Sequence, residues 1–343
     1  MALPRITSPH ATGNNRTQRV MLQVLLATLP AVLLLTWLFG IGTLVNLLLA
    51  GSLALGFEAA ILAIRQRPIG FYLRDGSALV TGVLLALALP PYTPWWLTAV
   101  AVGFAISFGK QLYGGLGQNP FNPAMLGYVV VLISFPLPMT SWPAPHSVSM
   151  LAGIEQIFGL AQLPDGWSQA TALDALKLNN SLTMDELWVS NPAFGQLGGN
   201  GVEWVNGAFL LGGLYLLHKK LISWHAPLGM LGALFVMSLL FWHGSGSDSN
   251  GSPLFHLLSG ASMLGAFFIV TDPVSGATSK LGRIIFGAGV GVLVYIIRTW
   301  GGYPDGVAFA VLLMNLCAPT IDYYSRPRSY GHRQAERGFK IGD

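Results

Sequence analysis

The stretch Lys110-Gln111-Leu112-Tyr113-Gly114-Gly115-Leu116-Gly117-Gln118-Asn119-Pro120-Phe121-Asn122-Pro123 separates two apolar runs, 95–108 before it and 123–138 after it. It holds one cation, three glycines and two prolines. Such a segment ends one helix, turns, and starts another, and its cation marks one membrane face. Outward from it the same alternation continues in both directions. Apolar runs occupy 20–38, 43–63, 77–89, 95–108, 123–138, 205–218, 227–242, 254–270, 284–299 and 305–322. A straight span needs about 20 apolar residues, so the shorter runs predict broken or re-entrant helices.

Positive charge orders these ten runs. All but two of the 18 Lys and Arg residues fall at the chain ends or on one alternating set of connections. That set holds Arg65, Arg67 and Arg74; Lys110; Lys219 and Lys220; Lys280 and Arg283. Lys177 and Arg298 are the exceptions. Cations gather on the cytoplasmic side, so both termini are predicted there. The reading divides the chain into a cytoplasmic N-terminus (1–19), a first five-helix repeat (20–138), an external, periplasmic loop (139–204), a second five-helix repeat (205–322) and a basic cytoplasmic tail (323–343). The fold class is an all-α polytopic membrane protein of ten transmembrane helices. Five spans per half would invert the second half relative to the first. Gly76-Ser77-Ala78, Gly82 and Pro90 parallel Ser259-Gly260-Ala261, Gly265 and Pro273 at an offset of about 183 positions, as an inverted repeat would.

Composition excludes much. Charged residues are 9% of 343 and hydrophobic ones 52%, against roughly 25% charged in a soluble protein. The basic residues flank apolar runs and form no patch with interleaved aromatics, so no nucleic acid is expected as a partner; membrane lipid is. One cysteine, Cys317, excludes an internal disulfide and a Cys-ligated cluster. No signal cleavage site is evident before Val20, which is read as the start of a retained span. His218, His225, His243 and His256 show no helical pairing, and no metal or haem is predicted. Trp95, Trp96, Trp142, Trp204, Trp224 and Trp300 mostly stand at span ends, as an aromatic belt does.

Two segments share Asp-x-x-Ser-x-Ala-Thr: Asp165-Gly166-Trp167-Ser168-Gln169-Ala170-Thr171 and Asp272-Pro273-Val274-Ser275-Gly276-Ala277-Thr278. Both resemble the acceptor sequence on which bacterial flavin transferases esterify the phosphate of FMN to a threonine hydroxyl. Small neighbours admit a bulky nucleotide and the threonine supplies the oxygen. The alternative is a Ser/Thr turn cluster. These transferases act outside the cytoplasm, which selects Thr171, with Asp165, Ser168 and Ala170 as its motif. Thr278 is the alternative acceptor, and it has the Gly276 that Gln169 replaces in the first copy.

The opening stretch, extended to Ala124-Met125, resembles the signature of the RnfD family of the bacterial Rnf complex, which is related to a membrane component of the sodium-pumping NADH:quinone oxidoreductase. Gly260-Ala261 through Thr271-Asp272-Pro273-Val274, Gly301-Gly302-Tyr303-Pro304-Asp305-Gly306-Val307-Ala308-Phe309-Ala310 and Asp322-Tyr323-Tyr324-Ser325-Arg326-Pro327-Arg328 are similar too. The resemblance implies a covalent FMN at Thr171, a noncovalent riboflavin in the membrane part and a channel-like inverted-repeat fold. It implies a bacterial inner-membrane complex with the other Rnf subunits (A, B, C, E and G) as partners, and a flavin transferase for maturation. The expected function is electron relay between NADH and ferredoxin or another carrier, coupled to cation transport, in a subunit that is not catalytically self-sufficient. No dinucleotide fingerprint is present: the glycines at 114–117 follow no strand. The rival reading is a non-redox solute channel or transporter of inverted-repeat fold.

Other polar residues inside the spans remain open in role. Glu58 is either part of an ion pathway or a neutral acid bonded to a neighbouring helix. Asn119, Asn122 and Asp272, with Asn315, either serve a membrane flavin or cation site or cap broken helices.

Overall fold

The computed structural model describes residues 17–161, 166–179 and 181–327. Asp165 lies outside them, as do 1–16 and 328–343 of the two tails. The chain folds as an all-α polytopic membrane protein. Its principal helices are α1 (Thr17–Phe39), α2 (Gly42–Ile64), α3 (Ser77–Ala88), α4 (Trp95–Phe104), α5 (Pro123–Ser134), α6 (Val202–His218), α7 (His225–Leu240), α8 (Pro253–Leu258), α9 (Lys280–Trp300) and α10 (Val307–Tyr324). α1, α2, α9 and α10 are each long and apolar enough to cross a bilayer; the 23 residues of α1 rise about 35 Å. α4 runs on without a break into a π-helical turn, Ala105–Gln111. After α8 the chain passes through Ser262–Leu264 into a second π turn, Gly265–Ile269. The short runs of the sequence are therefore broken and widened helices, which need protein or a cavity around them to satisfy their backbone.

Local chemistry sets the helix starts. Asn122 accepts from the Met125 N–H at the head of α5, with Pro123 at the first helical position. Ser279 does the same for α9 through the Gly282 N–H. Before α3, Gly76 takes a left-handed φ of 74°, and Gly260 takes φ 59° before its counterpart segment. These glycines align at 184 rather than 183 positions, so the repeat is shifted by one residue at this point.

The connections gather at two ends. Arg65 donates to the Gln111 carbonyl and Arg67 to that of Gly114, and Arg283 reaches Ser223; together with Thr17 these form the first end. At the second end, Tyr92 donates to the Phe39 carbonyl, the His146 N–H to that of Leu38, and Lys177 Nζ to that of Tyr303. One apolar core runs through the bundle from α1 to α10. Outward-facing residues are apolar too: Leu33 is 70% exposed and Leu48 73%. Lipid, not water, suits such an exterior.

α7 and α9 meet backbone to backbone. A Cβ on Gly287 would collide with the Ala226 carbonyl, and one on Gly291 with that of Met230. This Gly-x-x-x-Gly seam permits the close approach that membrane helices use in place of a hydrophobic drive. Gly287→Val is expected to lower stability by about 1–3 kcal/mol or more through overpacking. Gly232→Ala, whose Cβ meets nothing within 4 Å, is the neutral control. Thermal unfolding of both variants in detergent checks this, and equal midpoints would refute the seam.

The 139–204 segment departs from pure helix. Trp142–Pro143 pairs antiparallel with Ser168–Gln169, Trp142 opposite Gln169. A small cluster of Ala172, Leu173, Ala175, Leu187 and Phe194 closes on Phe255 of α8.

Candidate functional site

Thr171 stands at the second end, on the rim of a mainly apolar cleft between the two halves. The residue follows the paired strand Ser168–Gln169 after one intervening residue, Ala170, so that ladder and the Trp167–Tyr92 ring contact fix where it emerges. It then caps the helix Ala172–Lys177. Its hydroxyl donates to Asp174 Oδ2 at 2.7 Å, and its own N–H donates to the same oxygen at 3.2 Å. The Asp174 N–H returns a bond to the Thr171 hydroxyl. This is a capping box, and its Thr-x-x-Asp spacing was there to be read in the sequence. The cleft walls come from α1, α3, α5 and α6: Leu35, Leu87, Leu132, Val205 and Phe209. Polar groups are few: Thr140, Trp142, Thr171, Asp174, Ser259, Asp305 and the tyrosines 128 and 303. The space between them is about 1060 Å³, counting the part open to solvent. An apolar slot with a few convergent polar groups is what a planar ligand ring requires, and these residues fit a flavin.

The two cations that broke the charge pattern are both fastened here. Arg298, near the end of α9, is buried. It pairs with Asp305 at 3.0 Å and donates to the carbonyls of His256 and Ser259 and the hydroxyl of Ser262. Asp305 also accepts from the N–H groups of Ala261 and Val307. Lys177 donates to the carbonyls of Ile297 and Tyr303, at the end of α9 and just past it. Burial pulls the Lys177 pKa below the ordinary lysine value, against the opposing charge of Asp174. Cations at a helix C-terminus meet its exposed carbonyls.

A second cleft opens at the first end. It brings together Asn119, Asn122 and Asp272 with Lys110, Ser77 and Thr271, above walls that include Leu84, Phe267 and Phe268. Asn119 donates to the Phe121 carbonyl. Asn315 links the halves: it accepts from the Asn122 N–H at 3.0 Å and donates to the Ser275 carbonyl at 3.0 Å. Asp272 accepts from Ser275 and from the Val274 N–H. Burial raises its pKa more than those hydrogen bonds lower it. The second motif copy is thus a tight turn at the opposite end from Thr171. In it Thr278 is exposed, and its N–H donates to Asp322.

Glu58 lines neither cleft. Its Oε1 takes Lys110 Nζ at 2.6 Å and Gln111 Nε2 at 2.8 Å, and Lys110 also donates to Ser77. Lys110 is therefore a buried residue on the π turn, not a solvated marker in a connection. The widened turn carries its side chain inward. Each half ends its fourth span with a buried cation that donates to a serine on the short third segment: Lys110 to Ser77, Arg298 to Ser262. Sequence reading missed both of these pairings, together with Asp174 and Tyr128. Only Asp174 left a local signal; the others need the fold.

Against known proteins, the model of the NQR2, RnfD, RnfE family matches residues 5–331. The chain is 78% identical over 343 residues, the whole of both sequences, to a protein of Ectopseudomonas mendocina named as the D subunit of an ion-translocating oxidoreductase complex. A protein of the same name from Pseudomonas aeruginosa (strain UCBPP-PA14) is 70% identical over the whole of both chains. One from Cellvibrio japonicus is 56% identical, covering 98% of this chain and 97% of its own.

Proposed function

We propose a function from one premise, that this chain belongs to the NQR2, RnfD, RnfE family. It is a membrane subunit of an ion-translocating oxidoreductase complex. Within that complex it carries FMN as a phosphoester on Thr171 and a noncovalent riboflavin in the cleft of Asn119, Asn122 and Asp272. Held there, the flavins would supply electron relay between NADH and ferredoxin or another carrier bound elsewhere in the complex. The other Rnf subunits (A, B, C, E and G) are its partners, and a flavin transferase matures it. The protein lies in the bacterial inner membrane with both termini cytoplasmic and 139–204 periplasmic.

The observation that carries this reading is the place of the Thr171 hydroxyl, on the rim of an apolar cleft that a tethered ring could enter. A bound flavin supplies reversible electron storage. The apolar walls would exclude water from its ring, and hydrogen bonds from the few polar groups would tune its potential. Coupling to a cation is worth about 2.3 kcal/mol per charge per 100 mV. A non-redox pore accounts for the clefts but gives no role to the acceptor motif.

Peptide mass mapping of the purified subunit tests the proposal. The fragment containing Thr171 is expected to carry the added mass of FMN less water. An unmodified fragment, from cells that express the transferase, would overturn it.

A further inference from the structure

Most aromatic residues around the Thr171 cleft are already engaged. Trp142 packs edge-on against Phe39 and Phe209 edge-on against Phe268, and Tyr303 meets Phe309 at a tilt of 31°. Tyr92, close by, holds the Phe39 carbonyl and meets Trp167. Tyr128 is different. Among the described residues its hydroxyl has no hydrogen-bond partner and its ring no aromatic one.

Its position adds to this. Tyr128 lines the Thr171 cleft and also a smaller neighbouring cavity bounded by Met125, Ile269 and Val307. The two spaces share Ala88, Tyr128, Ala261, Leu264 and Asp305. Tyr128 therefore stands between the two spaces. The adjacent Gly127 holds this part of α5 in place, because a Cβ there would collide with the Ala101 carbonyl of α4. A residue so fixed, with an unused ring face and an unused donor, is preorganised for a ligand.

Resting on the flavin reading above, we infer that Tyr128 is the positioning residue for the ring of the flavin tethered at Thr171. Its ring packs against the isoalloxazine and its hydroxyl donates to a ring oxygen or nitrogen. Two cations close by are spent: Arg298 is committed to Asp305 and carbonyls, and Lys177 to two carbonyls. Among the described residues the Ser259 hydroxyl, which also lines the cleft, has no partner either.

The test uses the full chain, flavinylated in cells and purified, with three measurements. These are flavin fluorescence of the native protein, fluorescence of the denatured band, and the midpoint potential. Tyr128→Leu is expected to raise native fluorescence several-fold by removing a quenching aromatic, with the denatured band unchanged. Tyr128→Phe keeps the shape and the quenching. It is expected to lower the potential, because a lost donor no longer favours the electron-rich ring. A tenfold loss in that preference is about 30 mV for two electrons. Native fluorescence and potential unchanged in both variants, beside bright denatured bands, would overturn the assignment of Tyr128 alone. A dark denatured band in the unsubstituted chain would overturn the flavin reading and this inference with it.

Discussion

Thr171→Val is expected to abolish covalent flavin on this chain, while Thr278→Val leaves it intact. Valine has nearly the shape of threonine and lacks only the oxygen that would form the ester. The contrast between the two sites is positional. Thr171 sits on the rim of the second-end cleft, and Thr278 lies exposed in a turn at the first end. Valine also removes a helix cap, at a cost of about 1 kcal/mol, so a folding defect must be separated from a chemical one. Thr171→Ser makes that separation, because serine keeps both the hydroxyl and the cap and is expected to remain flavinylated at least in part. Ultraviolet fluorescence of the denatured band reads all three variants. A band that persists in Thr171→Val and vanishes in Thr278→Val would reverse the assignment.

The second large effect lies at Glu58. Glu58 and Lys110 are 1% and 2% exposed, and their salt bridge spans 2.6 Å. Glu58→Leu leaves a buried ammonium with only Ser77 among its present partners. Breaking one side of a buried pair typically costs about 3–5 kcal/mol, whereas replacing both sides with apolar groups is often neutral. Glu58→Leu and Lys110→Met are therefore each expected to lower the unfolding temperature sharply. The double variant is expected to recover most of the loss. The deficit of the double falling short of the sum of the singles measures the coupling. Single variants as stable as the parent would mean that water or lipid reaches the pair.

Much of the architecture could be read from charge alone. The cations of Arg65, Arg67 and Arg283 do meet one another's connections at one end of the bundle. This was legible because orientation signals are local: a cation beside an apolar run needs no knowledge of the fold. Lys110 defeated the same logic. Its neighbours read as a solvated hinge, but the π turn beneath it rotates the side chain inward to Glu58, 52 positions earlier. Arg298 is similar, since its partner Asp305 lies just past the end of α9 in a loop whose path hydropathy does not give. At the cleft, Thr171 stood out by its motif, and Asp174 was missed although its capping spacing to Thr171 is local. Tyr128 gave no signal, because what marks it is the absence of partners in three dimensions.

Phe255 of α8 completes the small apolar cluster beneath Ala172 and Leu173. The small interior of residues 139–204 is thus shared: one of its buried members is supplied by a helix about fifty positions downstream of the last of them. Excised and expressed alone, that stretch would lose the floor on which Thr171 is mounted. The attachment point is in effect a composite made by the whole bundle, and reconstitution of the modification should start from the intact chain rather than from a soluble fragment.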